Sequence, residues 1–338
     1  QYSMPMEEYL ERLTNNQSLV DIMTQHFFRK TPTYFALGYF YVYLDYFYPK
    51  GGTGVLADLL KEKVLDSGGQ IRLNTQIVEV NPSEMIVTDS EGRNYSYAHL
   101  IWAADLKTLY QKVNPVGLSP TIVKDIEARA QSVLSAKEAE SVFILFIAVD
   151  RPPSYFQARG GEHLFHTPSR QGLGEINRGE RERLIEDFGN ATKKDLLDWL
   201  DRYCDLNTYE VSIPVLRDPS LAPEGQTGLT ISCLFDYAMI ENIERAGWYN
   251  EFKQALEDRI IRIFSQTLYE DLKNDVLFKF SSTPQTIRTI VGSSGGAITG
   301  WSFETELPVA NKLRDLPKSV LTPIPGVLQA GQWAYAPS

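Results

Sequence analysis

Cysteine is nearly missing from this chain of 338 residues: Cys204 and Cys233 stand in no C-x-x-C spacing, which excludes a disulfide framework and a thiolate metal site. Clustered positive charge is missing too. The chain has 33 Lys and Arg against 43 Asp and Glu, with a net charge of −10 and a pI near 5.1. No segment carries the basic run that a phosphate-neutralising surface needs, so nucleic acid is excluded as a partner. No apolar run reaches the ~18 residues of a membrane-spanning helix, and no basic-then-apolar signal pattern follows Gln1. The expectation is a cytoplasmic protein, with peripheral membrane contact as the alternative. The N-x-[ST] sequons at Asn16, Asn94 and Asn190 are no more than chance supplies in a chain this long.

Catalytic signatures are equally sparse. Neither G-x-G-x-x-G nor a Walker A pattern occurs, which argues against a self-contained dinucleotide fold. Gly292-Ser293-Ser294-Gly295-Gly296 matches the G-x-S-x-G nucleophile elbow, but that chemistry needs a later His, and the last one is His166. His163 and His166 lack a matching Glu, Asp or Cys and read as surface or strand residues; His26 and His99 stand alone. No metal set, catalytic acid or catalytic base is assigned.

What is present suits a globular protein of two lobes: 43% hydrophobic and 22% charged residues, on a length beyond which one core usually stops growing. Helical spacing of Leu10, Leu13, Leu19, Ile22, Met23 and Phe27 predicts one or two helices before Thr31-Pro32. In residues 34–48 nine of fifteen are aromatic, against 12% for the chain. Such density lines an apolar pocket, packs a helical core, or faces a membrane. Pro49-Lys50-Gly51-Gly52-Thr53-Gly54 opens an amphipathic helix over residues 55–67, closed by Gly68-Gly69 and expected to pack on a sheet.

Strands are predicted at residues 70–73, 76–81, 85–88, 94–98 and 99–103, with a helix after Ala104-Asp105. Further strands are read at 141–149, 209–213 and 228–234, beyond and around a polar insertion at 172–194. A long helix over 248–269 carries one buried stripe through Phe252, Leu256, Ile260, Ile263, Phe264 and Leu268.

In chain order, Tyr48-Pro49-Lys50-Gly51-Gly52, Gly68-Gly69-Gln70-Ile71 leading to Val78-Glu79-Val80, and Ile101-Trp102-Ala103-Ala104-Asp105 form a recognisable series. It continues through Asp218-Pro219-Ser220-Leu221-Ala222-Pro223-Glu224-Gly225, Thr283-Pro284-Gln285-Thr286, Gly295-Gly296-Ala297 with Gly300, and Ile324-Pro325-Gly326 through Ala330-Gly331-Gln332. The series resembles the phytoene desaturase-like FAD oxidoreductases, which include carotenoid desaturases, carotenoid isomerases and retinol saturases within the amine-oxidase-like flavoprotein group. It covers residues 6–333 and is weakest over 160–203.

The resemblance implies an α/β plus α+β fold, a partial FAD/NAD(P)-binding-like lobe joined to a mixed-sheet and helical substrate lobe. The boundaries expected are 1–48 (helical, aromatic-rich part of the substrate lobe), 49–110 (part of the FAD lobe), 111–290 (substrate-binding α+β lobe) and 291–338 (return to the FAD lobe). It implies that Val78, Glu79 and Val80 contact adenine through backbone, that Ala103 and Ala104 lie beside the pyrophosphate, and that Ala330, Gly331 and Gln332 approach the ribityl chain. Gly51, Gly52, Gly300 and Trp301 would border the flavin ring or substrate entrance, and Tyr39, Tyr41 and Tyr43 would line a channel for an apolar, isoprenoid-like substrate. Such chemistry is hydride transfer to or from flavin, which needs no protein nucleophile.

The family's N-terminal fingerprint unit is absent and its C-terminal motif stops at Ser338, so the expectation is an internal fragment. FAD would belong to the complete protein and not be retained by this chain, which alone would be inactive. The alternatives are a non-catalytic domain binding an apolar ligand or a protein, and an amine oxidase-type flavoenzyme. No specific protein partner is implied.

Overall fold

The computed structural model describes residues 3–42, 47–174, 176–309 and 313–335. The predicted N-terminal helical region splits in two, α1 (Met6–Glu11) and α2 (Gln17–Thr24), because Asn16 caps the second: its side-chain oxygen accepts from Leu19 N at 3.2 Å. The first part of the aromatic run forms α3 (Thr33–Val42). Its Tyr39 and Phe40 meet Phe27 edge-to-face, at 5.4 and 5.1 Å, over a small core of Met6, Leu10, Val20 and Ala36.

The Gly-rich turn leads into α4 (Gly54–Asp66), which buries no residue; Leu56, Leu59 and Leu60 are 58%, 56% and 69% exposed. The expected packing of this helix on a sheet is therefore corrected: its apolar stripe lies at the surface. Residues 70–73 are not a strand either. They have no ladder partner among the described residues, and the chain bends at Leu73-Asn74, with Asn74 in the left-handed region (φ 52°).

Next come β1 (Ile77–Asn81), β2 (Ile86–Asp89) and β3 (Asn94–Ser96), an antiparallel meander. The second strand starts one residue later than expected because Met85 has φ 56° and makes the turn. Asp89 closes the hairpin: it accepts from Arg93 Nε at 2.8 Å and Tyr95 OH at 2.8 Å, and from the backbone N–H of Glu91 and Arg93. The chain then runs through β4 (Leu100–Trp102), α5 (Leu106–Lys112) and α6 (Pro120–Ser135).

The strongest apolar segment becomes β5 (Ser141–Val149), followed by α7 (Pro153–Gln157) and β6 (His163–His166). The polar insertion is largely helical, passing through α8 (Arg181–Glu186) into α9 (Lys193–Leu206). A reciprocal cap between Thr192 and Asp195 sets the start of α9. After β7 (Tyr209–Ser212) and β8 (Thr227–Phe235) come α10 (Tyr237–Arg245), α11 (Tyr249–Thr267), β9 (Val276–Ser282), α12 (Pro284–Val291) and β10 (Val327–Gln329). No helix among the described residues is long and apolar enough to cross a membrane.

Contacts divide the chain into two compact units, Gln1–Glu62 with Ser141–Thr286, and Lys63–Glu140 with Ile287–Ser338. The first holds a five-stranded antiparallel sheet in the order β6-β7-β8-β5-β9. Strand periodicity sends Phe143, Leu145, Ile147 and Val149 to one face, where they join the buried stripes of α9, α10 and α11. The predicted stripe of α11 is buried at Phe252, Leu256, Ile260, Ile263 and Phe264. Each such side chain contributes about 1.5–3 kcal/mol of transfer free energy. The second unit buries Val80, Trp102, Leu106, Leu109, Trp301, Val327 and Trp333, drawn from two small sheets, α5, α6 and loops.

Candidate cofactor site

The site of the second unit is built on a parallel pair. Leu100, Ile101 and Trp102 of β4 lie opposite Val327, Leu328 and Gln329 of β10. Both strands therefore end at the same edge, and in α/β proteins ligands bind outside the carboxyl ends of parallel strands. Beyond these ends are Ala103-Ala104 and Ala330-Gly331-Gln332, joined by a bond from Ala330 N to Trp102 O at 2.9 Å. Ala103, Ala104, Gly331 and Gln332 are exposed, an accessible rim on buried strands.

Three contacts fix this rim. Gly331 takes φ 82°, a conformation that disfavours any side chain, and a Cβ there would lie 3.5 Å from Ala103 O. Gly300 packs so tightly on the second turn that a Cβ would fall 2.5 Å from Gln332 O and 3.1 Å from Trp333 Cα. Trp301, fully buried, donates from Nε1 to Trp333 O at 3.0 Å and meets its ring edge-to-face at 4.8 Å. The structure thus brings together Ala103, Ala104, Ala330, Gly331, Gln332, Gly300 and Trp301, with Trp301 as an internal post.

Asp105 organises the other side. One of its carboxylate oxygens accepts from Thr108 N at 2.8 Å and Thr108 Oγ1 at 3.1 Å, capping α5; the other accepts from Ser294 N at 2.7 Å. That second bond anchors the Gly292–Gly296 motif. Ser293 is buried and its hydroxyl donates to Ala297 O at 2.8 Å, a turn-stabilising role. Next to it Lys107 Nζ pairs with Glu138 Oε1 at 2.6 Å, and Gly295, beside the Glu138 side chain, takes the left-handed conformation at φ 60°. Sequence reading had not singled out Asp105 for this bridge, since Ser294 is far away in the chain.

Val78, Glu79 and Val80 sit on β1, at the other end of α5, about 10 Å along that helix. Lys112 in its last turn donates to Ile77 O, Asn114 N donates to Val80 O at 2.8 Å, and Asn114 Nδ2 donates to Glu79 Oε1 at 2.7 Å. Val78 is 42% exposed and Val80 buried.

The other candidate residues belong to the first unit. Gly51 and Gly52 have φ 89° and 93°, and Gly51 N donates to Asp218 at 2.6 Å. Asp218 also accepts from Ser220 N and Oγ, so two motifs distant in sequence form one turn. Hydrogen bonds from the Ser220 side chain and the Gly51 backbone hold its carboxyl below the usual range. Tyr39 is half-buried and Tyr41 74% exposed; Tyr43 lies outside the described residues.

The histidines correct one expectation. His163 and His166, on β6, point to opposite faces, His166 bonding Thr267 Oγ1 at 2.8 Å. His26, expected to stand alone, joins a cluster: its Nε2 lies 3.1 Å from Tyr39 OH and 4.0 Å from Glu210 Oε2, while His163 Nε2 lies 2.8 Å from Glu210 Oε1. Tertiary pairing of β6 with β7 makes this cluster, a signal that residue spacing does not carry. Burial lowers the His26 pKa, against Glu210, which raises it, and with His163, which lowers it further. No group of three His, Cys, Asp or Glu that could hold a metal occurs among the described residues.

The sequence pattern described as flavin containing amine oxidoreductase matches residues 14–336. The chain belongs to this family. It is 26% identical over 259 residues to prolycopene isomerase 1, chloroplastic, of an Oncidium hybrid cultivar, covering 74% of this chain and 37% of that protein. With the lycopene-forming phytoene desaturase of Pseudescherichia vulneris it shares 24% identity over 245 residues, 70% of this chain and 42% of that one. The chain thus spans less than half the length of these curated relatives. A solved structure of putrescine oxidase, an A394C mutant, superposes with a TM-score of 0.59 at 11% identity, covering 99% of this chain and 64% of the oxidase. The wild type bound to putrescine gives 0.57 at 11%, covering 98% and 62%. These likenesses establish the amine oxidase fold, a mixed α/β architecture of FAD-dependent oxidoreductases.

Proposed function

We propose that the whole protein is a FAD-dependent oxidoreductase of the carotenoid desaturase and isomerase branch, acting on an apolar isoprenoid-like substrate. The observation that carries the reading is the double turn at the ends of β4 and β10, where Gly331 takes φ 82° and Gly300 lets backbone approach backbone. The residues fit a flavin cofactor in kind: the rim is small and accessible, and Thr299 Oγ1, next to Gly300, is buried without a partner. Ala103, Ala104, Ala330, Gly331 and Gln332 would hold the cofactor, with Val78, Glu79 and Val80 supporting its far end.

When bound, the flavin supplies hydride acceptance and donation. The chain supplies placement: Asp105 pins the Ala103-Ala104 turn to the Gly292–Gly296 loop, and Trp301 braces the second turn through Trp333 O. Tyr39, Tyr41, Tyr43, Gly51 and Gly52 are proposed for the substrate side. The two curated relatives with carotenoid-type names, each matched over most of this chain, support an isoprenoid substrate.

The test is expression of the longest natural open reading frame that contains this chain. It should purify with visible flavin absorbance that bleaches on anaerobic addition of a reducing isoprenoid substrate, whereas the 338 residues alone should purify colourless for want of a G-x-G-x-x-G unit. A longer protein that binds no flavin would falsify the proposal.

A further inference from the structure

Helices α1, α2 and α3 carry a core of their own. Met6, Leu10, Val20, Phe27 and Ala36 form one buried cluster, and none of them belongs to the core built on the five-stranded sheet. The two ends of this module are tied together: Met6 N donates to Thr31 O at 2.8 Å, and Thr33 N and Oγ1 both donate to Met4 O at 2.9 Å. A piece with its own core and closed ends can leave its neighbour as one body, without melting.

The seam between this module and the rest of the first unit is rich in polar contacts. Gln25 Nε2 donates to Leu206 O at 3.0 Å and to Thr208 Oγ1 at 2.7 Å, Leu173 N donates to Gln25 Oε1 at 2.8 Å, and Arg29 pairs with Glu182 at 2.7 Å. Asp21 is buried at the same seam, where a Cβ on Gly172 would fall 2.3 Å from its own Cβ. Hydrogen bonds of this kind contribute only about 0.5–1.5 kcal/mol each, so the charge of one further group can shift the balance.

That group is His26. Its ring is enclosed by Phe27 and Tyr39 of the module and by Phe165 of β6, the last at 4.5 Å. Its Nε2 lies 4.0 Å from Glu210 Oε2 on β7, a carboxylate already bonded to His163 of β6 at 2.8 Å. Glu210 and His163 stand on paired strands and stay together when the module leaves; of the three, His26 alone crosses the seam.

We propose that His26 is an acid-released latch: uncharged, it lets the α1–α3 module sit on the β6–β7 edge, and its protonation frees the module as one body and uncovers Phe165. The latch stands apart from the cofactor and substrate readings. Among the described residues, the titratable groups facing the ring are Glu210, His163 and Tyr39, and the other charged groups at the seam are Asp21, Arg29 and Glu182. Burial lowers the His26 pKa most, Glu210 opposes this, and His163 adds to the lowering. Release returns the ring to water, where it titrates at about 6.5. The released state therefore binds the proton more readily, so docking is firm above that pH and weakens as pH falls below it.

The experiment is amide exchange of the full chain followed by NMR, each rate divided by the chemical rate at that pH. The N–H of Leu173, whose acceptor lies across the seam, should lose protection by a factor approaching tenfold between pH ~7.5 and ~5.5, the limit for one imidazole returned to water. Amides inside α2 and α11 should keep theirs. His26→Gln should make the protection of Leu173 equal at the two pH values, and His163→Asn, which removes the like charge, should reduce the loss. Circular dichroism identifies a variant that has not folded, and the other variant then decides. Constant protection in the wild type, or a loss that persists in full in the deciding variant, overturns the latch. Equal loss inside α2 means local melting and overturns release as one body.

Discussion

The two units solve the same problem by opposite means. The sheet unit draws its core from long periodic elements, the nine-residue strands β5 and β8 and the nineteen-residue α11, each presenting an unbroken apolar face. The unit that carries the rim has strands of three to five residues and closes its core with tryptophans and glycine turns. Broad burial makes a unit tolerant of changes in its turns and sensitive to lost volume; a core assembled from turns reverses that order.

The largest effect should come from the first kind of damage. Phe264→Ala removes a ring that touches Tyr209, Tyr269 and His166, and should cost about 3–5 kcal/mol, measured by chemical denaturation. Hydrogen exchange should localise that loss to β5, β8 and α11. Uniform loss across both units would break the contrast.

Gly300→Ala comes next: no backbone can give way easily at 2.5 Å from Gln332 O, and about 1–3 kcal/mol of overpacking is expected. Exchange should quicken at residues 330–334 while α11 is unchanged. Asp105→Ala should cost about 1–2 kcal/mol through the lost cap of α5, with Ser294 N losing protection because its acceptor is gone.

The smallest and most local effect is acidic. Burial pushes the Asp89 carboxyl up, but hydrogen bonds from Arg93, Tyr95 and the Glu91 backbone outweigh it and hold it well below the ordinary range. Its folded pKa is thus lower than its unfolded one, so its contribution is complete above about 3.9 and fades as pH falls through the folded value. Acid titration of wild type against Asp89→Asn should show a difference at neutral pH that shrinks below pH ~4. A constant difference would remove the carboxylate from the account.

Legibility in the sequence followed the same division. Strand β5, strand β8 and the stripe of α11 could be read because periodicity is local. The order of short motifs placed Ala103-Ala104 and Gly331-Gln332 in one family pattern, and the structure puts them on one rim. What could not be read depends on partners. Residues 70–73 look like a strand but lack a neighbour to pair with, and α4 looks amphipathic but exposes its leucines. The Asp105 bond to Ser294 and the meeting of His26, Glu210 and His163 arise only when distant segments are folded together.

The parallel register of β4 and β10 has a kinetic meaning as well. More than two hundred residues separate the two strands, and the entire five-stranded sheet is encoded between them. On a ribosome, the edge of β4 that pairs with β10 must wait while residues 141–286, the second part of the sheet unit, are made. Loop closure over so long a span is slow to reward its entropy cost. The rim is thus a contact between two strands made far apart in time, and its formation depends on how readily the stretch between them becomes compact.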